Sequence, residues 1–134
     1  MTLIVCLDKR NGISFNNRRQ SRDSAVIERV YKIAENSKLY INEYSKSLFA
    51  LPCSFVKVSA KPLQSAKSND VCFLETDLTD KKSDNIDKII IYRWDKVYPN
   101  DKTFCINLSE WKLISTEEFT GTSHDTITEE VYTK

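Results

Sequence analysis

The chain has 134 residues, of which 40% are hydrophobic and 29% are charged, a composition typical of a globular domain and not of a disordered segment. Its 20 basic and 19 acidic residues nearly cancel, which argues against an overall field that attracts nucleic acid, a membrane surface or acidic substrates. We expect one domain over residues 1–134, with no bilayer-spanning stretch and no signal peptide, and therefore a cytoplasmic protein.

The first half of the chain alternates between strand and helix patterns. A continuous apolar run predicts a buried first strand, and apolar residues at helical spacing from Val26 to Ala34 predict an amphipathic helix. We expect strands over 2–8, 38–41, 53–59 and 70–75, helices over 24–35 and 45–50, and loops over 9–22 and 60–69.

The second half is dominated by strand patterns. A charged segment over 76–86 precedes a strong strand over 88–98 and a turn over 99–101. Two alternating segments, 111–115 and 126–133, predict an antiparallel pair joined by a polar loop. The sequence of elements predicts an α/β fold.

Four widely spaced cysteines, Cys6, Cys53, Cys72 and Cys105, form no CxxC pair. Three of them lie inside apolar runs, so we expect reduced, buried thiols and no metal site. His124 is the only histidine in the chain. A single histidine excludes metal sites that need several imidazoles, and any Ser-His-Asp hydrolysis would have to use His124.

Several short motifs resemble the dihydrofolate reductase family. LIVCLDKRNGISFNN is similar to the family's first strand and flexible loop, and Asp23 falls where the family keeps its substrate-binding carboxylate. IIIYRWDKVYPNDKTFCINLSEW is similar to its long strand, the following turn and the Trp that opens the next strand. SHDTITEEVYTK resembles the terminal strand. The resemblance implies a mixed, mostly parallel sheet flanked by helices, with a C-terminal antiparallel strand pair.

The sequence departs from the family where the family holds NADPH. The family's Gly-Arg-x-Thr, whose arginine binds cofactor phosphates, corresponds to residues 42–45, so Glu43 replaces a guanidinium. The family's Gly-Gly turn corresponds to Leu74–Glu75, and Tyr92 stands where the family has a threonine. Glycine lets backbone amides approach a phosphate, yet the whole chain has only two glycines. We therefore expect that the dinucleotide site is lost and that no cofactor is bound.

Asp23 has two interpretations. It precedes the first predicted helix, where a carboxylate caps the backbone N–H groups, and this position alone explains it. The alternative is a carboxylate that binds a pteridine or similar ring, or that donates a proton. We favour the cap.

The densest basic cluster consists of Lys9, Arg10, Arg18, Arg19 and Arg22. Such a cluster binds phosphorylated ligands, RNA or an acidic partner. Because almost no aromatic residue is interleaved with it, we favour a solvated loop over nucleic-acid binding.

Two further groups are candidates. Glu43, Glu75 and Asp77 are expected to meet at the carboxyl ends of two strands, as an acidic crevice or as exposed loop charges. Tyr92, Trp94 and Tyr98 are expected on one face of the long strand with Tyr40 and Tyr44 nearby. They either fill the vacated cavity or form a protein-binding surface.

The sequence thus predicts a non-catalytic reductase-like domain, monomeric or homodimeric, that binds a protein or a small molecule. Two alternatives stay open: an NADPH-dependent reductase of a pterin or another heterocycle, and a binder of nucleic acid or phosphate. The residues expected at the site are Asp23, Glu43, Glu75, Tyr92, Arg18, Arg19 and Arg22.

Overall fold

The main sheet has seven strands in a computed structural model that describes residues 1–50, 53–76 and 85–134. Short 3₁₀ helices cover Tyr44–Leu48 and Leu108–Glu110. The other elements are β1 Thr2–Leu7, β2 Gly12–Phe15, β3 Arg18–Arg19, α1 Ser24–Ala34, β4 Leu39–Ile41, β5 Val56–Val58, α2 Pro62–Ser65, β6 Val71–Leu74, β7 Lys88–Trp94, β8 Lys102–Thr103, β9 Lys112–Phe119 and β10 Ile127–Thr133.

The strand order is β5-β4-β6-β1-β7-β10-β9. The first five strands are mutually parallel, and β10 runs antiparallel to both β7 and β9. This confirms the predicted mixed, mostly parallel sheet with a C-terminal antiparallel pair. The continuous apolar run of β1 fits its central position, because a strand covered on both faces needs apolar residues on both.

Helix α1 covers one face of the sheet. Its Val26, Val30 and Ala34 recur every four residues, which places them on one side of a helix, and all three are buried. They pack with Ile4 and Ile90 from the central strands. The predicted helix is confirmed and ends one residue earlier than expected.

The opposite face of the sheet is covered mostly by irregular chain. Leu3, Val5 and Leu7 of β1 point to this side and pack with α2 and with the partly buried side chains of the segment 104–111. Strand β1 therefore contributes side chains to two hydrophobic cores, one beneath α1 and one beneath mostly irregular chain.

The prediction of a loop over 9–22 is wrong. Strands β2 and β3 form a hairpin there, and β2 also pairs with β8 in a second, three-stranded sheet. The turn of the hairpin is Asn16–Asn17, and both residues have positive φ (52° and 59°), which asparagine tolerates better than most residues. These two asparagines were the missed turn signal.

Other boundaries also differ from the predictions. Strand β9 continues to Phe119, four residues beyond the expected end, because it pairs with β10 along its length. Strand β7 ends at Trp94 instead of residue 98. Most of the charged segment 76–86 lies outside the described residues.

All four cysteines lie in the described residues, and none forms a disulfide. Cys72 is buried, and burial raises its pKa to about 12. The expectation of burial is wrong for Cys105, which is exposed although apolar residues flank it. Among the described helices, none combines the length and apolar composition needed to cross a bilayer.

Candidate functional site

The buried carboxylate of Asp23 links the start of α1 to the turn before β10. Its Oδ1 accepts hydrogen bonds from the Ala25 N–H (2.9 Å) and from the N–H and hydroxyl of Thr122 (2.9 and 3.0 Å). Its Oδ2 accepts bonds from the N–H and hydroxyl of Ser123 (2.9 and 3.3 Å) and lies 2.9 Å from His124 Nδ1. Six donors exceed the roughly four lone-pair positions of a carboxylate, so the intramolecular bonds already saturate Asp23.

These bonds determine the charge of Asp23. Burial alone raises the pKa of a carboxyl group, but the bonds from Thr122, Ser123, His124 and Ala25 outweigh burial and hold the Asp23 pKa well below its ordinary value. Asp23 is therefore ionised and acts only as an acceptor. The helix-cap interpretation is correct, and the same carboxylate also fixes the 121–124 turn.

Four neighbouring side chains fix the position of His124. Since Asp23 can only accept, Nδ1 carries a proton, and in the neutral form of the ring Nε2 then carries the lone pair. Nε2 lies 2.9 Å from Ser21 Oγ and 3.1 Å from the Tyr98 hydroxyl. The Trp94 ring stacks on the imidazole, with ring centroids 4.4 Å apart and planes inclined by 20°. The only histidine of the chain thus lies in a buried polar cluster with a fixed orientation.

A second centre joins the β2–β3 hairpin to the carboxyl end of β6. Arg19 binds the buried Glu75 with two parallel bonds, Nε to Oε1 (2.6 Å) and Nη2 to Oε2 (3.0 Å). Ser45 donates its hydroxyl to the same Oε2 (2.8 Å). A bidentate pair with a third donor is a strong and directional arrangement.

Tyr44 completes this centre. Its hydroxyl accepts a bond from the Arg19 backbone N–H (2.8 Å), and its ring lies beneath the Arg19 guanidinium, 4.4 Å from the centroid. The segment after β4, the end of β6 and the hairpin therefore converge on Arg19. Of the predicted basic cluster, Arg19 is engaged in an ion pair at this centre.

The remaining predicted residues do not join these centres. Glu43 is exposed and has only a loose ion pair with Lys46 at 3.9 Å. Arg18 and Arg22 are exposed, and each lines a different cleft. Of the three acids expected to form a crevice, Glu75 is paired with Arg19, Glu43 is exposed, and Asp77 lies outside the described residues.

The aromatic stripe is mostly core. Tyr92 and Trp94 are fully or almost fully buried, and Tyr92 packs edge-on against Phe119 with ring centroids 6.1 Å apart. Tyr98 lies beyond the end of β7 but packs with the same cluster, whereas Tyr40 packs on the opposite face of the sheet. Packing of Tyr92 in the core agrees with the interpretation that aromatic side chains fill this region.

Two clefts flank the Asp23 cluster. One, of 490 Å³, lies between α1 and the 44–50 segment and has Ile27, Tyr31 and Leu48 among its lining residues. The other, of 530 Å³, lies along the β2–β3 hairpin and is lined in part by Gln20 and Tyr98. The described residues contain no cluster of three potential metal ligands.

Sequence reasoning missed Ser21 and Asp8. Asp8 is fully buried, and its carboxylate accepts bonds from the N–H groups of Gly12 and Tyr98 and from the side chain of Gln20. A charged residue at the end of an apolar strand, four positions before a glycine, was the available signal for Asp8. No sequence signal places Ser21 beside a histidine about one hundred residues away.

Comparison with known proteins identifies the architecture. Neither protein-family models nor curated protein sequences match the chain. Among solved structures, dihydrofolate reductase from Enterococcus faecalis, complexed with NADP(H) and RAB-propyl, is similar with a TM-score of 0.68. The match covers 98% of this chain and 94% of that chain at 11% identity. The chain therefore has the dihydrofolate reductase fold.

Proposed function

We propose that this protein is a non-catalytic binding domain with the dihydrofolate reductase fold, in which side chains of the chain itself close the dinucleotide site. The observation that carries this proposal is the bidentate contact between Arg19 and Glu75. It lies at the carboxyl end of β6, where the family resemblance places the glycine turn against the cofactor. In an open α/β sheet, ligands bind outside the carboxyl ends of the strands, and here that position holds an ion pair.

The residues at this position do not fit NADPH. Glu75 brings a carboxylate and a side chain to a place where a pyrophosphate needs close backbone approach. Arg19, the nearest guanidinium, has both its Nε and Nη2 engaged by that carboxylate. The exposed Glu43, which replaces the family's phosphate-binding arginine, adds a second negative charge to the segment after β4.

On the substrate side, Asp23 lines the cleft beside α1, but its oxygens are already engaged by the chain itself. The family resemblance assigns ring binding to Asp23, but that carboxylate is fully hydrogen-bonded and His124 covers its Oδ2. A pteridine that reached Asp23 would have to displace bonds from the 121–124 turn and from the helix start. These features support binding over reduction.

The cleft between α1 and the 44–50 segment is the binding surface that we propose. Its 490 Å³ lies within the range of small-molecule sites, and Ile27, Tyr31 and Leu48 offer apolar contact beside the polar Ser24 and Ser47. This lining suits a small molecule with an apolar body, or an apolar side chain from a protein partner.

Titration with NADPH tests the proposal. We expect no saturable change in melting temperature or in Trp94 and Trp111 fluorescence at about 1 mM NADPH. A dissociation constant below about 100 μM would stabilise the folded state by more than 1 kcal/mol at that concentration. Saturable binding by the unmodified protein contradicts the proposal.

Matched double variants test whether the ion pair closes the site. Arg19→Ala/Glu75→Gly removes both side chains, whereas Arg18→Ala/Glu43→Gly removes one exposed residue of each charge. Gain of NADPH binding by the first variant alone is the expected result. Equal behaviour of two folded variants means that the pair is not what closes the site.

A further inference from the structure

Ser21, His124 and Asp23 form a continuous hydrogen-bonded line. Ser21 Oγ lies 2.9 Å from His124 Nε2, and His124 Nδ1 lies 2.9 Å from Asp23 Oδ2. These contacts use opposite nitrogens of one imidazole, which is the order in which a hydroxyl, a base and an orienting carboxylate activate a serine.

In its neutral form, the imidazole has the orientation that this chemistry needs. Asp23 is ionised and accepts from Nδ1–H, so the Nε2 lone pair faces the Ser21 hydroxyl. Stacking on Trp94 and the bonds that fix the 121–124 turn hold the ring in place. A preorganised base needs no reorientation when the serine reacts.

Ser21 is the accessible end of the line. Asp23 and His124 are only 3% and 6% exposed, whereas Ser21 is partly exposed. Its two chain neighbours line different clefts: Gln20 lines the cleft along the hairpin, and Arg22 lines the cleft beside α1. Ser21 lies in the chain between these two cleft-lining residues, so we expect a small acyl compound to reach its partly exposed side chain while His124 stays buried.

We propose that Ser21 is an activated nucleophile that an activated carboxylic ester acylates. Ser21 Oγ attacks the carbonyl carbon and passes its proton to His124 Nε2. The bond between the carbonyl carbon and the leaving oxygen then breaks, and the leaving oxygen takes the electron pair and the proton from Nε2. The products are an ester on Ser21 and a free alcohol or phenol. One acylation per molecule goes beyond the proposed binding function and requires no turnover.

Tyr98 modulates this reactivity. Its hydroxyl lies 3.1 Å from the same Nε2, so two hydroxyl groups share one lone pair. Tyr98→Phe removes the phenol oxygen and leaves Ser21 as the hydroxyl partner of Nε2. We therefore expect Ser21 to be acylated faster in this variant than in the unmodified protein.

The probe is p-nitrophenyl acetate, with released nitrophenolate and the intact mass of the protein as the measurements. We expect one equivalent of nitrophenolate and a mass gain of one acetyl group, which peptide mapping assigns to Ser21. Ser24 and Ser123 are internal controls in the same folded molecule, because their hydroxyls bond to Thr122 and Asp23 and not to an imidazole. Acetylation spread equally over these serines, or absent from Ser21, overturns the proposal.

Two substitutions test the mechanism. Ser21→Ala should abolish the site-specific label. His124→Gln should slow acetylation of Ser21 about 100-fold or more, the usual effect of removing a general base. An unchanged rate in a folded His124→Gln protein overturns the role of His124. If that variant does not fold, as judged by its circular dichroism, Tyr98→Phe decides: a faster rate supports the shared lone pair, and an equal or slower rate contradicts it.

Discussion

Gly121 lies so close to Asp23 that a side chain at position 121 would overlap the carboxylate. A Cβ atom built on Gly121 comes within 2.8 Å of Asp23 Cγ and of Ile127 Cδ1. The Gly121 N–H also donates to the His124 carbonyl (2.9 Å), which closes the turn around the carboxylate. One of only two glycines in the chain is thus required by a residue about one hundred positions earlier.

Gly121→Ala should destabilise the protein by about 1–3 kcal/mol, because the added methyl group overpacks a site that has no free space. Urea unfolding followed by fluorescence measures this. Thr120→Ala is the control in the same turn: its side chain is exposed, and its effect should stay within about 0.5 kcal/mol. Equal stability of the two variants would contradict the overlap.

Asp23→Asn should lower the free energy of unfolding at neutral pH by about 1–3 kcal/mol, because the amide weakens charge-assisted bonds and cannot accept on both terminal atoms. The folded state depresses the Asp23 pKa below 3.8. The stability that the carboxylate contributes is therefore complete above the unfolded pKa and is lost as pH falls through the folded pKa.

The pH dependence of the Asp23→Asn effect on stability is an internal control for this prediction. The difference in unfolding free energy between the wild type and Asp23→Asn should be constant above about pH 5 and should shrink below about pH 4. Urea unfolding at several pH values measures it. A difference that grows as the pH falls would mean that the partners of Asp23 do not lower its pKa in the folded state.

Arg19→Ala should lower the free energy of unfolding by about 3 kcal/mol, because it leaves the buried Glu75 carboxylate without its cation. A double-mutant cycle with Glu75→Gln should give a coupling energy of about 1–3 kcal/mol, since the two side chains contact directly. Arg18→Ala, one residue away and exposed, should change stability by less than about 0.5 kcal/mol. Additive single effects would indicate that the contact contributes little.

The cysteines should react in the order of their exposure. Cys105 is exposed and should react first with Ellman's reagent, whereas Cys72 should react only after unfolding, because it is buried with its pKa raised to about 12. Burial, with Glu75 and Asp23 nearby, also raises the pKa of Cys6. Cys105→Ser should remove the fast phase. Fast reaction of native Cys72 would show that this core opens readily.

Local patterns were enough to predict most of the architecture. The apolar run of β1, the four-residue spacing in α1 and the alternation in β10 each reflect which side of an element is buried, so those elements were identified from the sequence. The hairpin at 12–19 was missed because its strands are short, with four residues in β2 and two in β3. It forms through the Asn16–Asn17 turn and through pairing with β8, about 90 residues away.

The site was predictable only in part. The position of Asp23 before a helix identified the cap, and the family resemblance identified Glu75 as a departure. The partners of both carboxylates come from distant parts of the chain: Thr122, Ser123 and His124 for one, and Arg19 for the other. No local pattern encodes such pairings, so the sequence did not reveal that Arg19 neutralises Glu75.

The position of β1 at the centre of the sheet affects how the chain is made. Its two neighbours, β6 and β7, begin at residues 71 and 88, so β1 leaves a ribosome well before either of its partners. The run LIVCL is apolar, and such segments associate with one another when they are unpaired. Synthesis therefore includes an interval in which this strand depends on protection by a chaperone or on the rapid arrival of its neighbours.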